Sequence, residues 1–195
     1  MTEGVDRRRI AAAVRELLCA VGEDPDRAEL LQTPERVADA YAEMYAGMGV
    51  DPLSLLGDTT PLDAPTGEIV LVRDIAFRSI CEHHLLPFRG RAHVAYRPTR
   101  SVTGFGTIAR LVDALASRLQ LQERLGEQIA DALQQALEPE GVLVVLEASH
   151  GCVTDRGSRQ GDALAVTVAS RGALARPAER AEILALISPT DRRPA

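Results

Sequence analysis

The order in which apolar patterns change along the chain limits its fold most. From Glu68 to Ile80 the run EIVLVRDIAFRSI is rich in β-branched residues and reads as a strand. RGRAHVAYRP, residues 89–98, alternates and reads as a second strand, a hairpin partner stopped by Pro98. TIARLVDALASRLQ (107–120) and QERLGEQIADALQQAL (122–137) then carry helical spacing. GVLVVLEASH (141–150) and DALAVTVASRGAL (162–174) return to strands, and PAERAEILALI (177–187) closes as a helix. The order β-β-α-α-β-β predicts an α+β class with a mainly antiparallel sheet backed by helices.

A helical part precedes this core. RRRIAAAVRELLCAV, residues 7–21, is an amphipathic helix, with Cys19 on its apolar stripe and so expected in the core. Thr33-Pro34-Glu35 reads as an N-cap, a proline at the first helical position and an acid in the first turn. Gly47 or Gly49 is expected to end that helix. Residues 50–65 hold three prolines and read as a linker or ordered loop. The expected division is therefore a helical N-terminal extension with linker, 1–65, and a catalytic domain, 66–195. No internal repeat of solenoid length occurs.

A chain of 195 residues, 46% hydrophobic, buries a core without disulfide help. No run of 18 apolar residues occurs, so no membrane span is expected, and the polar start MTEGVDRRRI reads as a cytoplasmic protein's. A net charge of −6 argues against a generic nucleic-acid surface but leaves room for a small anion in a locally positive pocket. All 22 basic residues are arginine, so any task of a lysine falls to arginine or is absent.

Against this background SICEHHLLPF, residues 79–88, stands out: three of the chain's seven cysteines and histidines fall within four positions. Cys81 and His84 form a C-x-x-H pair that a short turn can aim at one ion. Cys152, in EASHGCVTDRG, supplies a second thiolate from the end of another predicted strand. A Cys₂His set leaves one of the four tetrahedral positions of zinc to solvent, the pattern of a catalytic site, and zinc there acidifies water towards neutral pH. Buried cysteine that merely fills space is the plain alternative. His93, in the alternating strand, reads as structural. His83 and His150 lie beside the metal set as non-ligands, suited either to proton transfer or to orienting a ligand.

CEHHLLPF, then AHVAY, LQLQERLGEQIADAL and an H-x-C-x-x-x-R-G run, in that order, resemble the GTP cyclohydrolase I family over residues 10–188. The resemblance implies the tunnelling fold and a homodecamer with active sites at subunit boundaries. It implies opening of the imidazole ring of GTP, loss of formate and reclosure to dihydroneopterin triphosphate, the entry to folate and other pterins. By position, Cys81, His84 and Cys152 match the zinc ligands. His83 matches the histidine near the metal-side water, and His150 the acid–base histidine that works after ring opening. Gln122 and Glu123 match residues that face the purine; a carboxylate suits the paired N–H donors of guanine, which adenine does not offer. Arg110 and Arg156 match arginines that hold the triphosphate, a task for a planar guanidinium.

One stretch departs. The family pattern G-L-S-K-x-x-R appears here as GFGTIAR, residues 104–110, with Gly106 and Thr107 where serine and lysine contact the triphosphate. Phe105 replaces leucine and adds bulk near the base. A charge-assisted hydrogen bond is worth about 1.5–3 kcal/mol, so its loss weakens nucleotide binding by roughly one to two powers of ten unless Arg100 or a neighbouring subunit's arginine replaces it. Two further readings follow: a paralogue doing the same ring opening on a less phosphorylated purine, and a non-catalytic nucleotide- or pterin-binding relative. A zinc nucleobase deaminase would carry H-x-E and P-C-x-x-C, and neither occurs.

Overall fold

A computed structural model describes residues 4–65 and 67–187. The chain divides into two compact units, Met1–Val50 and Asp51–Ala195. Residues 51–65, expected with the N-terminal part, lie in the second unit, where a 3₁₀ turn at Pro52–Leu56 buries Leu56 in the main core.

The first unit pairs α1 (Arg7–Ala20) with α2 (Thr33–Met44). Asp6 caps α1, its Oδ1 accepting from the Arg9 N–H at 3.1 Å. Ile10, Val14 and Leu18 form the half-buried stripe of α1. Cys19 corrects the expectation of a core cysteine: it is exposed. One residue turns a helix by about 100°, and two helices alone cover only a narrow seam, so Cys19 falls off the stripe that Leu18 ends. Thr33 is likewise not the cap. The chain is already helical at Gln32, after turns in which the Leu30 and Thr33 N–H groups donate to Arg27 O and Leu30 O. Thr33 is thereby the first helical residue, with Pro34 buried behind it. The helix stops at Met44, before either glycine.

In the second unit, β1 (Thr59–Pro61) pairs antiparallel with β4 (Ser101–Thr103). The main sheet holds β2 (Val70–Cys81), β3 (Pro87–Arg97), β5 (Leu119–Gln120), β6 (Gly141–His150) and β7 (Ala165–Gly172), in the order β5-β2-β3-β6-β7. Every pairing in it is antiparallel except the short β2–β5 bridge. The helices are α3 (Phe105–Ala116), α4 (Gln122–Leu137), the single turn α5 (Gly151–Thr154) and α6 (Pro177–Ile187). This is the α+β, helix-backed antiparallel arrangement that the sequence predicts.

The near-continuous apolar run of β6 follows from burial on both faces. Val142, Val144 and Leu146 pack with Leu111, Leu115, Leu125, Ile129 and Leu133 of α3 and α4. Leu143 and Val145, pointing the other way, pack with Leu174 and with Ile183 and Ile187 of α6. Arg97 on β3 anchors α6 through Glu179 at 2.6 Å. Arg171 on β7 is held by Glu127 and, at 2.7 Å, by Asp131, both on α4. His93 is buried in β3, and its Nδ1 accepts from the Asp74 N–H at 3.2 Å. Asp74, at φ +59°, lies in the irregularity of β2 between Val72 and Ile75, so His93 serves the backbone there. Among the described residues no helix is long and apolar enough to cross a membrane.

Gly90 is fixed by close approach. It faces Ala148 across the β3–β6 ladder, and a Cβ there would lie 1.9 Å from the Glu147 carbonyl oxygen. Gly90→Ala is expected to cost at least about 3 kcal/mol, because backbone rather than a flexible side chain must move. Denaturant melts of the two proteins measure it; a loss under about 1 kcal/mol would mean the strands separate here without penalty.

Candidate metal centre and active site

The β2–β3 connection is a tight turn, and the residue types in it are held by backbone bonds. The Cys81 N–H donates to Leu86 O and the Leu85 N–H to Cys81 O, both at 2.9 Å. Glu82 N–H donates to Gln120 O at 3.1 Å, which ties the turn to β5. Leu85 takes a left-handed conformation, φ +55°, to close it. Glu82 is then clamped from outside: its two carboxylate oxygens accept from Arg124 of α4 at 2.6 and 2.9 Å. That guanidinium holds the Glu82 carboxyl below the usual range.

Cys81 ends β2 and is buried; His84 is exposed in the turn; Cys152 sits half-buried on α5, just past the end of β6. The ligand atoms of these three all lie within 4.8 Å of one another. The edge of a zinc–sulfur tetrahedron is about 3.8 Å, so two thiols and an imidazole arranged this way fit a tetrahedral cation with a small inward movement. Burial pushes the Cys152 thiol up, and the neighbouring Cys81 sulfur adds to the shift. Two sulfurs this close resist joint ionisation; a cation between them reverses that preference.

The remaining candidate residues fall around this group. His83 is exposed, its ring edge-on to His84 with centroids 6.2 Å apart. His150 is the last residue of β6, two positions before Cys152. Its Nε2 lies 2.7 Å from Gln122 Oε1, and its ring stacks on Phe88 at 4.6 Å. Burial pushes the His150 imidazolium down, partly opposed by the charge of Glu123. Glu123 itself is exposed in the first turn of α4. Arg156 is exposed beyond α5, near enough for its charge to act on the Cys152 sulfur.

Thr107 and Arg110 form their own pair on α3: Arg110 donates to Thr107 Oγ1 at 2.9 Å, with Thr107 buried and Arg110 exposed. Phe105 projects into solvent, 68% exposed. Sequence reasoning misses Arg124 and Phe88. Arg124 carried a signal, since an arginine in Q-E-R and a glutamate in C-E-H-H have opposite charge. Phe88 carried none, because the stack depends on strand register.

The sequence model of the GTP cyclohydrolase I family matches residues 10–188. A GTP cyclohydrolase 1 of Leifsonia xyli is 59% identical over 184 residues, which cover 94% of this chain and 96% of that one. One of Streptomyces griseus is 54% identical over 93% of this chain and 90% of its own. One of Rhodopirellula baltica is 52% identical over 94% and 80%. Among solved structures, the apo form of the archaeosine synthase QueF-Like aligns with 53% of this chain and 93% of that one, at 19% identity and a TM-score of 0.44.

Because ligating thiols must lose their protons, uptake of a zinc ion by metal-free protein is expected to release about two protons near pH 7. Calorimetry in buffers of different ionisation enthalpy counts them. Cys152→Ala should leave the protein folded, with metal affinity reduced at least about 100-fold; unchanged affinity would place the ion elsewhere.

Proposed function

Because this chain belongs to the GTP cyclohydrolase I family, we propose that it hydrolyses the imidazole ring of GTP, releases formate and recloses the product to dihydroneopterin triphosphate. The observation that carries the reading is the meeting of Cys81, His84 and Cys152, from two separate strand ends, within 4.8 Å. Their donor set suits zinc, which when bound supplies a Lewis acid that activates water at neutral pH.

The chain's own groups do the rest. Glu123, exposed at the start of α4, accepts the paired N–H donors of guanine and so orients the base. His83, beside His84, takes or returns a proton on the metal side. His150, whose proton affinity burial lowers, accepts or donates protons while the opened ring rearranges. Arg156 and Arg110, both exposed, pair with the triphosphate. Neutral Thr107 does not add the charge that the family pattern places there; it orients Arg110 instead, through their 2.9 Å bond. The missing charge at Thr107 is the one observation favouring a less phosphorylated substrate. The proposal includes action in the cytoplasm and assembly as a homodecamer. Edge strand β7, with Val166 and Val168 exposed, offers a backbone edge of the kind that pairs with another copy.

Purified zinc-loaded protein, given GTP, GDP, GMP and guanosine, should release formate and form pterin fluorescence from GTP far faster than from the rest. Preference for a less phosphorylated compound would move the assignment to the paralogue reading, and no turnover of any purine to a binding protein. Thr107→Lys is expected to lower KM for GTP by roughly tenfold; an unchanged KM would mean that the phosphate grip is rebuilt elsewhere. His150→Ala should still open the ring while pterin formation stops, seen as ring-opened product by mass spectrometry. Complete pterin from that variant would remove His150 from its role.

A further inference from the structure

Two contacts immobilise the His150 ring. Phe88, directly opposite in the β3–β6 register, stacks on it with the planes 2° from parallel. The stack sets the plane of the imidazole, and the 2.7 Å contact with Gln122 Oε1 sets its rotation within that plane.

The orientation of the Gln122 amide is dictated by what surrounds it. Its nitrogen lies 3.0 Å from the carbonyl oxygens of both Leu146 and Ala165, and 3.2 Å from Thr167 Oγ1. A carbonyl oxygen only accepts, so the amide atom facing two of them has to be the NH₂ group. Turned over, the side chain would set oxygen against oxygen in a place shut off from water, for Gln122 is 2% exposed. Oε1 is therefore left facing the imidazole, and Oε1 also only accepts. His150 Nε2 must carry a hydrogen, and in the neutral ring Nδ1 is then the acceptor.

We infer that Gln122 is a positioning residue that fixes the His150 ring as the Nε2–H tautomer, leaving Nδ1 as its acceptor nitrogen. This rests on the proposed role of His150 in proton transfer and deepens it. It also moves Gln122 away from the purine contact that the family resemblance implies. Both amide hydrogens are committed to β6 and β7, and the oxygen is committed to His150. Recognition of the base passes to its exposed neighbour Glu123.

The first test needs no turnover, so it stands or falls apart from the GTP assignment. Zinc-loaded protein carrying ¹⁵N-labelled histidine is studied by long-range ¹⁵N–¹H correlation at a pH where His150 is neutral, its signal identified by its loss in His150→Ala. The expected pattern is a protonated Nε2 and a bare Nδ1; a protonated Nδ1 with a bare Nε2 would falsify the inference. The second test is kinetic. Gln122→Met keeps the length and removes both polar atoms. Pterin formation should fall about 10- to 100-fold, as when a group that orients a working residue is lost. KM for GTP should stay within about twofold, because no substrate contact is removed. In the ring-opening step, which His150→Ala retains, Gln122→Met combined with His150→Ala should be no slower than His150→Ala alone. A raised KM, or losses that multiply, would return Gln122 to the purine and overturn the inference. Should Gln122→Met fail to fold or to hold zinc, the spectrum of the unaltered protein decides alone.

Discussion

Ten consecutive residue pairs, from Phe88 opposite His150 to Arg97 opposite Gly141, hold β3 against β6. The site depends on this register. It sets Phe88 under His150, puts the start of α5 beside the turn that leaves β2, and so carries Cys152 to Cys81 and His84. Side chains alternate along a strand, so a slip of one residue would send Leu146 to the α6 face and His150 away from Phe88. Two features prevent the slip. β6 is apolar on both faces, and each face meets a different helix layer. Gly90 allows the approach opposite Ala148 that no residue with a Cβ would tolerate.

Around that ladder, the candidate site groups are held by interactions of different kinds, and the differences matter. The candidate metal set is gathered from backbone geometry: a closed turn for Cys81 and His84, a helical turn for Cys152. The imidazole of His150 is oriented by side chains, one aromatic and one amide. The link between the metal turn and the helix bearing Gln122 and Glu123 is electrostatic, the Glu82–Arg124 pair. That pair is partly solvated and adds little stability by itself. Its contribution is positional, since it ties the turn to the helix that carries Glu123.

Much of this was legible beforehand, for reasons visible in particular residues. α4, β6 and α6 lie where their patterns predict, because each pattern is long and faces a core. The metal candidates stood out because cysteine and histidine are scarce here and clustered. Contacts that depend on topology were hidden. Leu119–Gln120 reads as the end of a helix, yet it bridges to Ile80–Cys81 as a parallel strand, and no local signal reports that. Residues 51–65 read as linker because their short strand finds its partner some forty residues on, at Ser101–Thr103. Cys19 looked buried because an amphipathic stripe shows where a helix packs, not how wide the cover is. The contacts of Gln122 with backbone oxygens of β6 and β7 were hidden too, since such oxygens have no identity in a sequence.

The ion pairs that fasten the elements share one more trait. Arg97 to Glu179, Arg124 to Glu82, and Arg171 to Asp131 all use a guanidinium, and no side-chain amine exists anywhere in the chain. A guanidinium keeps its charge far into alkaline solution, so none of these fasteners is released by deprotonation of its basic member. Amine-directed cross-linkers and lysine-modifying enzymes find no lysine side chain to attack in such a scaffold. Control by acetylation or ubiquitination of lysine is closed to it.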